Sequence, residues 1–393
     1  MNRLFKLLPA AAVLFMTVLT TGCWDNRDFQ KISIITALGI DLTEDKHVEL
    51  TIQVLKPGTM KTSLEGGDSS GEKAFAVFSS KGKTVLEAHN NLLLTINREP
   101  YYGHLQLIVV GESLEKENIM KYLDFFERYP EMNRQAKMLT ARGTKAEKIL
   151  EAESQMEAIP AAHLRQIVEN AEFTGKIKPL SLHELVSFMN LEGRHPVMST
   201  IEFRYTSEKP TISDLHITGS AIMRNDRLVG FIDTIHTRSL LIIRGLAENM
   251  IFTIPNPESP GKMLSIDVSD CSVKKTVRIE DGRPAATISV KITGLIGEIQ
   301  DGGTDLDVEV NKRIEKVFAD VVEKELKNVI DVAQTKINVD FLGMGELFYK
   351  SMPNYWKEVK DDWGNIFPNM QIDVVVEVEI QHTGLISDPS KVR

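Results

Sequence analysis

Cys23 is the residue of this chain best placed to do chemistry. It follows Gly22 at the end of an apolar run from Leu7 to Leu19, broken only by Pro9 and Thr17, and that run is preceded by Arg3 and Lys6. Positive end, apolar middle, small residue and cysteine are together the pattern of a lipoprotein export signal. In such a signal the thiol takes a diacylglyceryl group as a thioether, the bond before it is cut, and the cysteine becomes the acylated first residue. A spanning helix needs about 20 apolar residues to cross a hydrocarbon core of about 30 Å, and this run is shorter. The same residues also suit an ordinary secretory signal with an unmodified cysteine, or an uncleaved anchor. The position three before the cysteine, usually leucine, is Thr20, with Leu19 one place earlier. We read residues 1–22 as a lipoprotein signal peptide and 23–30 as a lipidated leader.

Other chemistry-bearing patterns stop short. Gly82-Lys83-Thr84 has the end of a phosphate-binding loop, but Val77 stands where its first glycine belongs. His183-Glu184 begins a zinc-protease helix, yet Ser187 holds the place of the second histidine. Gly111-Glu112-Ser113-Leu114 begins a nucleophile elbow and then has Glu115 instead of glycine. Gly343-Met344-Gly345 lacks the third glycine of a dinucleotide fingerprint, because Phe348 stands there. Chance supplies near misses of this kind in a chain this long. The nine histidines are scattered, with no pair on one helical face and a third ligand near. His104 and His216 read as hydrogen-bonded structural residues. Carboxylates are plentiful, but none is singled out as half of a glycosidase pair. We expect no catalytic residues, no metal and no cofactor.

Composition bounds the partners. The net charge is −9, and −11 without residues 1–22, which carry Arg3 and Lys6. An acidic surface argues against nucleic acid, whose phosphates need concentrated Lys and Arg, and against electrostatic attraction to anionic lipid. Cys23 and Cys271 are the two cysteines. With Cys23 acylated, Cys271 has no disulfide partner, and an exported fold without a staple needs a large core. Cys271 reads as structural.

The elements that would carry these residues follow from periodicity. Ile32 to Ile40 and His47 to Leu55 form a hairpin, and in the second strand Glu49, Thr51 and Gln53 alternate with apolar residues as a wet face. Residues 56–72 are a Gly- and Ser-rich loop. A strand from Ala74 to Ser79 follows. Thr84 with Glu87 makes a capping box, and Val85, Leu86, His89, Leu92, Leu93 and Ile96 fall at helical spacing behind it. Strands near 105–110 and 136–141 flank a helix from Glu115 to Tyr129. Thr144 with Glu147 and Ser181 with Glu184 repeat the capping pattern, Pro160 starts another helix, and 197–205 is a closing strand. A polar break at 207–213 precedes a second hairpin, 216–223 with 228–233, turned by Asn225-Asp226. A helix near 237–248 and two strands near 272–279 and 285–293 come next. After a break at 300–304, a long amphipathic helix runs from about Asp307 to Ile337, and residues 372–380 alternate as a half-buried strand. This predicts an α+β fold of three mixed domains, each with a mainly antiparallel sheet and packed helices, at 31–206, 214–300 and 305–393. Trp356 and Trp363 are seven apart, which places them on one helical face and in a core.

Several of these segments together resemble one family. They are Gly22-Cys23-Trp24-Asp25 with Arg27, Ala37-Leu38-Gly39-Ile40-Asp41, Phe78-Ser79 with Gly82, Thr84 and Glu87-Ala88, and the stretch from Gly103-His104 to Gly111-Glu112. To these add Gly219-Ser220-Ala221, Leu228-Val229-Gly230, Thr237 to Leu241, Asp340-Phe341-Leu342-Gly343-Met344-Gly345, Trp356, Trp363, Phe367-Pro368 and Gly384-Leu385-Ile386. In order and spacing the chain resembles the Ger(x)C family, the C-subunit lipoproteins of spore germinant receptors. The resemblance implies a non-enzymatic subunit of three α+β domains. It would carry palmitate-type acyl chains on Cys23 and lie on the outer face of the spore inner membrane. Its partners would be two integral membrane subunits, of A and B type, and its task nutrient-triggered germination with a small-molecule germinant. Two other readings stay open beside it: a solute-binding lipoprotein that captures a nutrient itself, and an envelope hydrolase.

Overall fold

The computed structural model describes residues 31–56, 73–154, 157–204, 211, 214–300 and 307–381. Strands β1 (Ile32–Leu42) and β2 (Val48–Leu55) form the expected hairpin, and β3 (Phe75–Gly82) lies antiparallel on β2. Next come α1 (Val85–Leu92), β4 (Glu99–Tyr101), β5 (Leu107–Gly111), α2 (Glu112–Glu115) and α3 (Ile119–Arg128). They are followed by β6 (Lys137–Ala141), α4 (Ala146–Glu151), α5 (Pro160–Glu172), α6 (Leu182–Met189), β7 (Val197–Phe203), β8 (Leu215–Arg224) and β9 (Arg227–Ile232). These strands make one sheet in the order β3-β2-β1-β5-β6-β7-β8-β9, with β4 on the start of β1. Its centre, β1-β5-β6-β7, is parallel, and its flanks are antiparallel.

A parallel centre must be covered on both faces, and it is. Leu38, Ile40, Leu50, Ile52, Ile108 and Val110 meet α1, α3 and α6 in one apolar cluster. Ala37, Leu107, Val109 and Leu139 meet α4 and α5 in another. The second layer overturns the wet face expected of β2. Glu49, Thr51 and Gln53 are 5%, 0% and 1% exposed. Gln53 donates to the carbonyl of Leu150, accepts the amide of Ala161 and the Thr36 hydroxyl, and Thr51 pairs with Ser79. Glu49 is held by Lys145 at 2.8 Å and Lys81 at 3.3 Å. Polar residues are tolerated there because each finds a partner.

The second sheet uses the rest of the chain. Helix α7 (Thr234–Arg244) leads into β10 (Ile251–Pro255), β11 (Met263–Glu280) and β12 (Arg283–Ile299). Then follow α8 (Val308–Asp331), a π turn at Val332–Lys336, α9 (Met344–Ser351), α10 (Pro353–Val359), α11 (Trp363–Ile366) and β13 (Gln371–Gln381). The order is β10-β11-β12-β13, antiparallel except for the parallel last pair. Ile314, Phe318, Val322, Leu326 and Val329 of α8 pack on Phe252, Ile266, Ile288, Val290 and Ile292. The fold is α+β, in two sheets. The hairpin β8-β9 pairs with β7 in the first sheet, and β13 pairs with β12 in the second. The core of the second sheet also runs on through Leu240 and Ile243 to Val197, Ile222 and Ile232 of the first.

Local signals were met unevenly. Asp307 caps α8 and Ser181 with Glu184 closes a full capping box on α6. At α1 the Thr84 hydroxyl accepts the amide of Glu87, while the Glu87 carboxylate turns to the amide of Lys83 instead of Thr84. The helix expected from Glu115 to Tyr129 is two, because Asn118 caps a new start. Of the residues at helical spacing behind Thr84, Leu86 and Leu93 are 54% and 44% exposed.

Candidate functional site

Cys23 and its flanking residues lie outside the described residues. The near-miss motifs all have structural employment. The Ser113 hydroxyl accepts the amide of Leu42 at 3.1 Å and donates to its carbonyl at 3.2 Å. Glu112 accepts the amide of Gly143 at 2.6 Å. His183 sits exposed on α6, its amide on the carbonyl of Arg134. Cys271 is half-buried and free, and burial pushes its thiol up to about 11, the opposite of an activated thiolate. Among the described residues, no group of three or more His, Cys, Asp or Glu is placed to hold a metal ion.

Two matched segments meet at Asp41. Its carboxylate accepts the amides of Ala146 at 3.1 Å and Glu147 at 3.3 Å, the first amides of α4. Thr144 with Glu147 is therefore not the cap of that helix; the acceptor comes from a strand 105 residues away. A Cβ on Gly111 would sit 1.9 Å from Oδ1 of Asp41, and one on Gly39 3.1 Å from the Cβ of Ala146. The Gly39-Ile40-Asp41 and Gly111 positions thus let α4 sit close on the sheet.

The second meeting point is larger. Asp340 Oδ1 accepts the amides of Gly343 and Met344 at 3.0 Å, and Oδ2 accepts the amide of Gly345 at 2.6 Å and the Trp363 indole N–H at 3.0 Å. One carboxylate therefore ties the start of α9 to α11. Trp356 and Trp363 are buried edge to face with centroids 5.3 Å apart. They stand on separate short helices, α10 and α11, joined by the turn Lys360–Asp362, not on one continuous helix.

Against this block docks the loop after α6. Gly193, at φ +71, accepts the amide of Glu346 at 2.9 Å. Glu192 accepts the Trp356 indole N–H at 2.9 Å and a weaker contact from Lys360 at 3.4 Å, and the Trp356 bond leads in holding its carboxyl below the ordinary range. Arg194 stacks 3.8 Å over the Phe188 ring and pairs with Glu346 at 3.5 Å. Arg244, on α7, reaches the carbonyls of Phe341 at 2.7 Å and His195 at 3.0 Å, and burial lowers its guanidinium to about 10. Burial also lowers His195, so its imidazole is neutral at pH 7; its Nδ1 accepts the amide of Asn225.

Between loop, hairpin turn and tryptophans lies a cavity of about 500 Å³, lined by Glu192, Arg194, His195, Arg224, Asn225, Asn338, Trp356, Lys360 and Trp363 among others. That is the size of a small-ligand pocket. Among the described residues no serine, threonine or cysteine lines it, and both oxygens of Asp340 are spent on protein donors. Asp340, Gly345 and both tryptophans were singled out from sequence. The stretch Leu191 to His195 was not; its one local signal is Glu192-Gly193 at the end of a helix, and its partner lies more than 150 residues on.

Two family models match the chain. One, described as the spore germination protein N-terminal domain, covers residues 25–203, and the other, described as spore germination B3/GerAC like, C-terminal, covers residues 218–384. The spore germination protein KC of Bacillus subtilis (strain 168) is 26% identical over 98% of each chain. The spore germination protein B3 of the same organism is 27% identical over 96% of this chain and 98% of its own. The crystal structure of the GerBC protein superposes with a TM-score of 0.55 at 23% identity, covering 87% of this chain and 96% of that one. At that identity the likeness is one of fold. The first matched stretch holds Asp41, Gly111 and Gly193 and the second holds Asp340, so the docking of Gly193 on the Asp340 block joins the two.

Proposed function

The chain belongs to the GerAC-like family of spore germination proteins, and from that premise we propose that it is a lipid-anchored, non-enzymatic subunit of a germinant receptor. In this reading Cys23 carries the lipid, the body stands on the outer face of the spore inner membrane, and integral membrane subunits of A and B type dock on it to promote nutrient-triggered germination.

The observation that carries the proposal is the order Arg3, Lys6, apolar run, Gly22, Cys23. Among the described residues no helix is long and apolar enough to cross a membrane; in this reading the lipid on Cys23 holds the body there. Each buried methylene of an acyl chain contributes about 0.8 kcal/mol, and two chains hold where one is marginal. Restriction to the membrane plane raises the effective concentration of the body for neighbouring subunits. The interlocked block around Asp340 and the saturated Asp41 cap support a docking role: they fix surface shape without presenting a reactive group.

The test is Cys23→Ala in spores. The variant should fold as the parent does, leave the membrane fraction and slow germination. Full membrane retention with normal germination overturns the proposal. Affinity capture from spore membranes should bring down A- and B-type subunits.

A second reading has one observation in its favour, the cavity beside Trp356 and Trp363. Its Arg224 and Lys360 would face a small solute, with the indoles as apolar wall. Calorimetric titration of amino acids and sugars into the chain separates the readings: saturable heat supports direct capture, and none across the set counts against it. An envelope hydrolase would need a free carboxylate pair. Glu192 and Asp340 are the carboxylates of this cavity, and both are already engaged by protein donors.

A further inference from the structure

Helix α1 presents an apolar stripe to solvent. Leu86, Leu93 and Leu94 are 54%, 44% and 84% exposed. Hydrogen bonds from Leu93 to Asn90, Leu94 to Asn91 and Thr95 to Leu92 carry the turn beyond Leu92, so residues 86 and 93 share one face and the exposed Leu94 flanks them. The opposite face is fixed: Val85, Ala88, His89 and Leu92 are buried, and His89 Nδ1 pairs with the Tyr102 hydroxyl at 3.0 Å. The leucines are therefore held outward by a rigid helix.

Their place in the fold is specific. Glu99 of β4 is the strand partner of Ile32. Leu94 precedes Glu99 by five residues, so its Cα is within about 22 Å of Ile32, at ~3.4 Å per residue plus one strand spacing. Lys31 is where the leader enters the body, and the eight residues from Cys23 to Lys31 span at most about 27 Å. The leucine tip thus lies within about 22 Å of where the tether enters, inside the reach of the leader. The helix Val85–Leu92 itself carries Glu87 and neither Lys nor Arg, so what this face offers a bilayer is apolar contact.

We propose that Leu86, Leu93 and Leu94 form a lipid-contact tip, which inserts into the bilayer interface next to the acylated Cys23 and sets the orientation of the body on the membrane. This rests on the lipid-anchor reading of Cys23. The tip turns a flexible tether into a two-point attachment and leaves other faces for partner subunits.

The full chain, purified from membranes with Trp24→Phe, is reconstituted into vesicles of phosphatidylglycerol and phosphatidylethanolamine, with and without brominated acyl chains. Leu94→Trp and, separately, Leu86→Trp add an indole at the tip; Ile251→Trp adds one at a residue 59% exposed on β10. The added emission at 94 and 86 should fall by half or more in brominated vesicles, and that at 251 should change little. Protein that floats with the vesicles while both tip indoles are quenched no more than that at 251 overturns the tip alone, and would assign the leucines to a protein partner. Protein that does not float, and whose Cys23 is a naked thiol by mass spectrometry, overturns the anchor and the tip with it.

Discussion

Trp363 donates its indole N–H to Oδ2 of Asp340 at 3.0 Å, and the same oxygen holds the amide of Gly345 at 2.6 Å. This pair joins the turn before α9 to the helix α11, and Gly345 has no room for more: a Cβ there would lie 2.9 Å from Trp356 and 3.0 Å from the Trp363 nitrogen. Asp340→Ala strands three amides and one indole N–H in a buried place. Each buried donor left unsatisfied costs about 1–3 kcal/mol, so the loss should be several kcal/mol. Asp340→Asn, which keeps one acceptor oxygen, should cost less. Trp363→Phe, which removes one donor and keeps the ring, should cost about 1 kcal/mol. Urea unfolding followed by tryptophan emission ranks the three; equal stability of Asp340→Ala and the parent would refute the arrangement.

Gly193 tests the docking of the loop. Its φ is +71, and a Cβ would stand 2.5 Å from the carbonyl carbon of Gly345. Gly193→Ala should cost about 2 kcal/mol or more, and it should do so locally, by lifting residues 190–195 from α9. Limited proteolysis should cut the variant in this loop sooner than the parent. A second substitution, Gly143→Ala, meets nothing within 4 Å though its φ is +67, so it isolates the conformational cost from the clash and should be milder.

These two cases show what a sequence can display. Ser181 with Glu184, Asp307 before α8 and the Asn225 turn are read within a few residues of themselves, and the structure has each of them. Helix existence and strand order of the hairpins came from the same short range. The burial of Gln53 could not, because the groups that satisfy it, Leu150 and Ala161, lie 97 and 108 residues on. The same holds for Gly193, whose need for a missing side chain is set by Gly345, and for Leu86 and Leu93, whose helical spacing looks like a core stripe. Asp340, Gly345, Trp356 and Trp363 were marked by their resemblance to family segments. What they do to one another was not, since spacing along the chain gave a single helix where the structure has a broken one.

Glu115 makes the stability depend on pH. It is fully buried; Oε1 accepts the Thr140 hydroxyl at 2.8 Å and Oε2 has no hydrogen-bond partner among the described residues. Burial pushes its carboxyl well above the ordinary 4.5. The folded state then keeps a proton that the unfolded chain releases near pH 4.5, so the unfolded state binds fewer protons and stability falls as pH rises from there towards the raised value. Glu115→Gln cannot ionise. It should lose this slope and be more stable than the parent at pH 8 relative to pH 4.5. Urea midpoints across that range decide; parallel curves for parent and variant would show that Glu115 does not carry the dependence.

Asp41 and Gly111 form a pair whose coupling has a definite sign. The Asp41 carboxylate caps α4, and Gly111 leaves it the space, with a hypothetical Cβ only 1.9 Å from Oδ1. Gly111→Ala must push the carboxylate off the amides of Ala146 and Glu147, which adds the loss of the cap, about 1–2 kcal/mol, to the strain of the displaced side chain. Asp41→Ala loses the cap but opens the space. In the Asp41→Ala chain the added methyl of Gly111→Ala therefore has little left to displace. The double variant should be more stable than the sum of the two single losses by more than about 1 kcal/mol. Strict additivity in urea unfolding would mean that the two residues do not meet as described.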